Sequence, residues 1–195
     1  SAFTTESIRG WIWPSAAAML QIQHASAMAT ALGARLRLIG ISRRANAQGK
    51  PFVGPAGRLL DQMLEEAGIE RQRVYVTNAV KHFKWTPRGK RRLHGKPNSR
   101  EIFACRPWLE AELEAIKPDL LVLLGATAAQ SLLGTQFRIT KHRGQPLESD
   151  WAPWTMATYH PSALLRAKHQ PGGEQLREDF LADLKLVARK LAEIR

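Results

Sequence analysis

Cysteine is nearly absent from this sequence, which contains only Cys105 among its 195 residues. A single cysteine excludes an intrachain disulfide and is typical of a protein from a reducing compartment. No apolar run reaches the roughly 18 residues that a bilayer-spanning helix needs. The first residues also lack the basic start and apolar core of a signal peptide. We therefore expect a cytoplasmic protein with no membrane partner, and we expect it to be a monomer.

Acidic residues are also scarce, since 17 Asp and Glu face 29 Lys and Arg to give a formal net charge of +12. Seven of the positive charges lie in residues 81–96, here called the basic segment, which has no acidic residue. Concentrated positive charge favours a nucleic-acid or other phosphate partner. Glycines and prolines in "HFKWTPRGKRRLHGKP" (82–97) predict a loop rather than a helix or strand. This loop carries His94 near its end, where an imidazole could take part in chemistry.

Apolar runs of strand length alternate with helical patterns along the rest of the chain. Buried strands are predicted at 36–40, 73–80, 119–125 and 155–160, and helices at 56–68, 99–116, 126–134 and about 174–194, with Ser99 as an N-cap. Continuous apolar strands suit a parallel sheet that is covered on both faces. The pattern predicts a three-layer α/β/α sandwich with a central, mainly parallel four-stranded sheet, formed by residues 35–195. Residues 1–34 form a divergent segment in which apolar residues follow neither the helical nor the strand period clearly. Of the regular elements, a helix at 15–31 fits this segment best.

Three polar stretches follow predicted strands: "GKPFVGPAGR" (49–58), "TNAVKHFK" (77–84) and "YHPSALLR" (159–166). In an open parallel sheet, ligands bind beyond the carboxyl ends of the strands. We therefore expect these stretches to converge on one site.

These stretches, with "GKRRLHGKP", "ACRPWL" and "LLGATAAQSLLG", occur in an order and spacing that resembles the uracil-DNA glycosylases. The resemblance is greatest to the UdgX type, uracil-DNA-binding relatives of the iron–sulfur family, because the basic loop ending in "KRRLH" is specific to that type. It implies a DNA-repair protein that flips uracil out of single-stranded or duplex DNA and cleaves its glycosidic bond.

The resemblance also assigns roles to individual residues. Phe52 would stack on the pyrimidine, Asn78 would hydrogen-bond the uracil edge, and His160 would donate near uracil O2. Leu164 would be an apolar wedge in the minor groove, and Arg166 would contact DNA. From the residues alone, Phe52 could simply pack under a loop, Asn78 could cap a turn, His160 could be a satisfied core histidine, and Leu164 could be an ordinary helix leucine.

In UdgX-type proteins the loop histidine, here His94, attacks the sugar carbon after uracil leaves and joins the protein covalently to DNA. Neutral imidazole is a competent nucleophile near pH 7 because its ordinary pKa is about 6.5. Arg91 and Arg92 would disfavour protonation of His94 and, with Lys90, would contact phosphates. In isolation, "RRLH" is also explained by a histidine that merely contacts phosphate.

The sequence departs from the family upstream of Gly49. Where the family has a Gly-Glu-Gln-Pro-Gly motif, this chain reads "GISRRANAQGK" (40–50), without an acid. The resemblance implies a [4Fe–4S] cluster, and Cys105 and His82 match two of its ligand positions. The family's N-terminal Cys-x-x-Cys pair has no counterpart, and two ligands are too few to hold a cluster securely. Partial translation of residues 1–48 out of frame, or degradation of the gene copy, would each explain both departures.

Four functions remain open at this point. The first is a UdgX-type protein that excises uracil once and traps itself through His94. The second is a glycosylase that turns over, with the loop as a DNA clamp. The third is a non-catalytic DNA-binding module, favoured by the altered upstream motif, and the fourth is a generic phosphate-binding α/β domain.

Overall fold

Five strands form the central sheet of the protein, seen here in a computed structural model that describes residues 36–40, 52–80 and 97–194, plus the backbone of 85–88 and 91–94. They are β1 (Leu36–Gly40), β2 (Val74–Asn78), β5 (Leu120–Leu124), β6 (Pro146–Leu147) and β7 (Trp154–Thr158). Their spatial order is β2-β1-β5-β7-β6, with the first four parallel and β6 antiparallel to β7. The prediction of a mainly parallel sheet is confirmed, but the sheet has five strands rather than four. The fifth was missed because two residues are too few for an apolar run to be recognised.

Helices cover both faces of this sheet. Within the described ranges the α-helices are α1 (Pro55–Glu66), α2 (Ser99–Ile116), α3 (Ala126–Leu133), α4 (Ile139–His142), α5 (Pro161–Ala167) and α6 (Gly173–Glu193). Side chains of α1 and α6 pack with one set of strand residues, and those of α2 and α3 with the other. Every residue of β1 and β5 is buried, which explains why β5 is continuously apolar. β1 is apolar apart from Arg37, which is buried and pairs with Glu112 of α2 at 3.5 Å. The predicted three-layer sandwich is therefore confirmed.

The four predicted helices are present, with ends within a few residues of those expected. The N-cap of α2 is Asn98 rather than Ser99: its side chain accepts from the Glu101 N–H, and the Glu101 carboxylate accepts from the Asn98 N–H. This capping box satisfies two helix-start donors at once. The short helices α4 and α5 were not predicted, because neither is long enough to show a helical period.

The prediction of an irregular basic loop is wrong for part of the basic segment. Strands β3 (Trp85–Arg88) and β4 (Arg91–His94) form an antiparallel hairpin, with Arg88 opposite Arg91 and Pro87 opposite Arg92. Only Gly89 and Lys90 separate the strands in sequence, and a glycine-first pair suits a two-residue hairpin connection. Proline is tolerated because each strand of a two-stranded ribbon is an edge strand.

Several predictions fall on other parts of the chain. The divergent segment 1–34, its expected helix at 15–31, and the stretch that follows Gly40 lie outside the described residues. None of the helices in the described part of the chain combines the length and hydrophobicity that crossing a bilayer requires.

Candidate functional site

Three of the predicted site residues meet at the carboxyl edge of the sheet. Asn78 is the last residue of β2 and lies opposite Gly40, the last residue of β1. His160 follows β7 by two residues and is the N-cap of α5, while Phe52 lies just before α1. The predicted convergence of their three stretches at one edge therefore agrees with the fold.

Phe52 and His160 stack against each other at this edge. Their ring centroids are 5.5 Å apart and their planes differ by 26°. Phe52 is 7% exposed and has a φ of 60°, a left-handed conformation that costs free energy for a residue other than glycine. Asn78, at 6% exposed, also reaches the surface only slightly. Backbone strain beside two stacked rings is typical of a ligand site.

Glycines make room for the two rings. A Cβ on Gly40 would lie 2.6 Å from Phe52 Cζ and 3.2 Å from His160 Nε2. A Cβ on Gly125, which follows β5, would lie 2.9 Å from His160 Cβ. A Cβ on Gly57, in the first turn of α1, would overlap the Phe52 carbonyl oxygen at 1.4 Å. The sheet edge and α1 can therefore approach Phe52 and His160 only because these positions lack side chains.

Hydrogen bonds fix the state of the His160 ring. Its Nδ1 accepts from the Ser162 backbone N–H at 3.0 Å and lies 2.9 Å from Ser162 Oγ. A ring nitrogen that accepts from a backbone N–H carries no proton, so the proton of the neutral imidazole is on Nε2. His160 is thereby prepared to act as a neutral donor through Nε2.

The two predicted DNA-contacting residues of helix α5 differ in exposure to solvent. Leu164 is 5% exposed and belongs to the core, whereas the adjacent Leu165 is 38% exposed. Arg166 is exposed and donates from Nη1 to Ser162 Oγ at 3.2 Å. The large apolar side chain that this helix exposes to solvent is thus Leu165. Two adjacent leucines in a sequence offer no reason to prefer one over the other.

The remaining predicted residues are only partly visible. His94 is the last residue of β4 and lies opposite Trp85, and Arg91 and Arg92 belong to the same strand. The side chains of these three β4 residues lie outside the described part of the chain, as do Lys90 and His82 entirely. Cys105 is buried in α2 at 3% exposed. Within the described ranges, no group of three or more His, Cys, Asp or Glu side chains is arranged to hold a metal ion.

A buried ionic cluster behind the site was not anticipated. Asp183 of α6, 5% exposed, accepts from Thr158 at the end of β7 and from Arg143. Burial raises the pKa of Asp183, although the hydrogen bonds from Thr158 and Arg143 oppose that change. Burial alone would lower the pKa of Arg143, but its hydrogen bond and charge interaction with Asp183 outweigh this and raise it.

The site therefore combines a flat aromatic face, an amide and a neutral imidazole donor beyond the carboxyl edge of a parallel sheet. These groups are of the kinds that suit a planar heterocycle with polar edges, such as a nucleobase. Residues 28–185 match the Uracil DNA glycosylase superfamily. This chain belongs to that superfamily.

Curated relatives include proteins named Type-4 uracil-DNA glycosylase. The protein from Thermotoga maritima is 40% identical over 137 residues, which are 70% of this chain and 66% of the relative. The protein from Archaeoglobus fulgidus is 37% identical over 147 residues, 72% of this chain and 67% of the relative. The protein from Sulfurisphaera tokodaii is 37% identical over 142 residues, 68% of this chain and 60% of the relative. The matched region thus spans about two thirds of the length of these relatives.

Proposed function

We propose that this chain excises uracil from DNA during DNA repair. The observation that carries the proposal is the stack of Phe52 on His160 beside Asn78 at the carboxyl edge of the sheet. Membership of the superfamily and relatives named Type-4 uracil-DNA glycosylase support the choice of uracil and DNA. The formal net charge of +12 supports a polyanionic partner.

Binding requires that the uracil leave the base stack, at a cost of a few kcal/mol. Phe52 offers a ring face that replaces part of the lost stacking. The Asn78 amide offers one acceptor and one donor group, which match the N3–H and O4 of uracil. Together they recognise a flipped pyrimidine by its shape and its edge.

Cleavage places negative charge on the departing uracil, because the electron pair of the bond between C1′ and N1 leaves with the base. His160 Nε2–H is a neutral donor that stabilises this charge at uracil O2 as it develops. A single donor of this kind changes rates by about 10²–10³. The hydrogen bond from Ser162 to Nδ1 holds the ring in the tautomer that this step needs.

His94 is the nucleophile in the UdgX-type version of this proposal. Its neutral imidazole nitrogen bonds to the electron-poor C1′, and the resulting imidazolium loses its N–H proton to solvent. Residues 40–60 contain no Asp or Glu that could activate a water molecule instead. This composition favours a nucleophile that needs no base, and the product is a covalent adduct formed in a single turnover.

The DNA contacts in this proposal come from the basic segment and from α5. Lys90, Arg91 and Arg92 neutralise phosphates of single-stranded or duplex DNA, and Arg166 extends this contact at the exposed face of α5. Two adjacent leucines are candidates for the apolar wedge: Leu164 by resemblance, and Leu165 by its exposure.

A [4Fe–4S] cluster is not part of the proposed mechanism. Such clusters are held by about four ligands, most often cysteine thiolates. This chain contains one cysteine, Cys105, and the described residues offer no cluster of metal-binding side chains around it. The residues in hand therefore do not fit the cofactor that the resemblance implies.

The test is a denaturing gel of the protein with labelled single-stranded DNA that contains one uracil. Wild type should give a shifted band that survives SDS and heat, and His94→Ala should not. If DNA treated with the wild-type protein is cut by alkali but shows no shifted band, the protein turns over, and capture by His94 is refuted.

A non-catalytic DNA-binding module is the second candidate, favoured by the absence of an acid in residues 40–60. It predicts intact, alkali-resistant DNA in the same experiment. It also predicts binding with little preference for uracil over thymine, which a competition assay would measure.

A further inference from the structure

A cluster of charged and polar side chains contacts the end of β7, two residues before His160. Arg143 Nη1 donates to both carboxylate oxygens of Asp183 at 2.8 Å, and Arg143 Nη2 lies 2.7 Å from Asp179 Oδ2. Thr158 Oγ1 donates to Asp183 Oδ2 at 2.5 Å. Hydrogen bonds to ionised groups are about twice as strong as neutral ones, so this cluster is a firm connection between α6 and β7.

The cluster contacts both residues that precede His160. Thr158, the last residue of β7, is held by its hydroxyl, and Tyr159 lies with its ring under the Arg143 guanidinium, 4.9 Å from the ring centroid. The Thr158 carbonyl also accepts from the Gly125 N–H at 2.8 Å. The backbone that leads from β7 to His160 is therefore restrained by contacts with both Thr158 and Tyr159.

The loop that carries Arg143 is shaped to reach the Asp183 carboxylate. Gly144 has a φ of +68°, and a Cβ there would lie 2.4 Å from Asp183 Oδ1. Its N–H donates to the Ala157 carbonyl at 3.0 Å, which fastens the loop to β7. A side chain at this position would separate the loop from the carboxylate.

Burial of a carboxylate in this place costs free energy that apolar packing would not cost. The Asp183 carboxylate contacts Thr158, two residues before His160, so it can affect the position of the ring that carries the proposed chemistry. A displacement of about 1 Å at a reacting group can slow a reaction by about 100-fold.

We propose that Asp183, Arg143 and Thr158 form a clamp that positions His160 for donation to the leaving base. This inference rests on the proposed function of His160. The clamp residues do not touch the base; they act through the two residues that precede His160.

Thr158→Val is the most direct test, because valine keeps the shape of threonine and leaves the Arg143–Asp183 pair in place. Thr155→Val is the matched control: it lies on the same strand, is equally buried, and its hydroxyl has no hydrogen-bond partner in the described structure. We expect Thr158→Val to slow single-turnover uracil excision about tenfold while DNA affinity stays within about twofold, because only orientation is lost. Thr155→Val should match wild type in both.

A double-mutant cycle separates positioning from general structural support. In a His160→Ala background, Thr158→Val should cause no further loss of excision rate. A loss of the same size in both backgrounds, or equal rates for Thr158→Val and Thr155→Val, would overturn the clamp.

The ¹⁵N NMR signals of the His160 ring give a readout that does not depend on activity. Thr158→Val, or Arg143→Lys if the first variant folds poorly, should shift these signals, and Thr155→Val should not. If wild type releases no uracil, the proposed function fails, but an unshifted His160 signal would be the result that rejects the clamp.

Discussion

Gly40→Ala should inactivate the site with a single methyl group. Gly40 is the last residue of β1, and its added Cβ would lie 2.6 Å from Phe52 Cζ. Carbon atoms pack best at about 3.5–4.0 Å, so the overlap is roughly 1 Å. The strand cannot retreat easily, because Gly40 pairs with Asn78 and its carbonyl accepts from the Ala79 N–H at 2.8 Å.

The Phe52 ring must therefore move by about the size of that overlap, and its stack on His160 is lost. The same methyl lies 3.2 Å from His160 Nε2, the atom that donates to the base in our proposal. A misplacement near 1 Å predicts a fall in excision rate of about 100-fold. Overpacking of a buried region also predicts a loss of about 1–3 kcal/mol in the free energy of unfolding.

The assay is single-turnover excision on uracil-containing single-stranded DNA, with urea unfolding of the same preparations. Gly68→Ala is the control, because Gly68 has a φ of +77° and open space around its Cβ position. That variant should lose about 1–2 kcal/mol from backbone strain and keep its activity. Wild-type excision by folded Gly40→Ala would refute the reasoning, since the two rings could not then need their present positions.

Three further predictions follow from the same structure. Leu164→Ala should cost about 2–5 kcal/mol of stability as a core truncation, whereas Leu165→Ala should change the melting temperature little and slow excision from duplex more than from single-stranded DNA. If duplex excision by Leu165→Ala equals that of wild type, Leu165 is not the wedge. Burial raises the pKa of Asp183 in the folded state, with Asp179 adding to this and Thr158 and Arg143 opposing it. The contribution of Asp183 to the free energy of unfolding therefore falls as pH rises from the ordinary carboxyl pKa of about 3.9 through the raised value. The free energy of unfolding of wild type minus that of Asp183→Asn should fall across that pH window. A difference that stays constant would contradict the raised pKa. If all seven positive charges of the basic segment contact phosphates, the log–log dependence of DNA affinity on salt should have a slope of about −6, and a slope near zero would exclude that contact.

The layered fold could be predicted because its strands are buried on both faces. "DLLVLLG" is apolar without alternation after Asp119, and "LRLIG" departs from this pattern only at Arg37. Such runs distinguish a covered parallel strand from a half-exposed one. The hairpin of the basic segment was missed because its strands are short, charged and contain Pro87, all of which reduce strand propensity. Pairing within the ribbon outweighed that local preference.

Convergence of Phe52, Asn78 and His160 could also be predicted, because parallel strands bring their carboxyl ends to one edge. The tautomer of His160 could not, since it depends on where the Ser162 N–H points at the start of α5. The burial of Leu164 depends on how α5 rotates against the core, which adjacent leucines in a sequence do not reveal.

The clamp behind His160 left no readable signal in the sequence. Arg143 and Asp183 are 40 residues apart, and Asp183 reads as one more charge in an amphipathic helix. Only the packing of α6 against the sheet brings its carboxylate to Thr158. Long-range polar contacts of this kind follow from the tertiary fold and not from local pattern.

Release of free uracil tests the central claim most directly, because it occurs whether the DNA product is captured or turned over. The measurement is mass spectrometry of uracil released from single-stranded DNA by wild type and by His160→Ala, with thymine-containing DNA as the blank. The account predicts release by wild type and a rate lower by about 10²–10³ for His160→Ala. No uracil from wild type, or equal release by the variant, would contradict it.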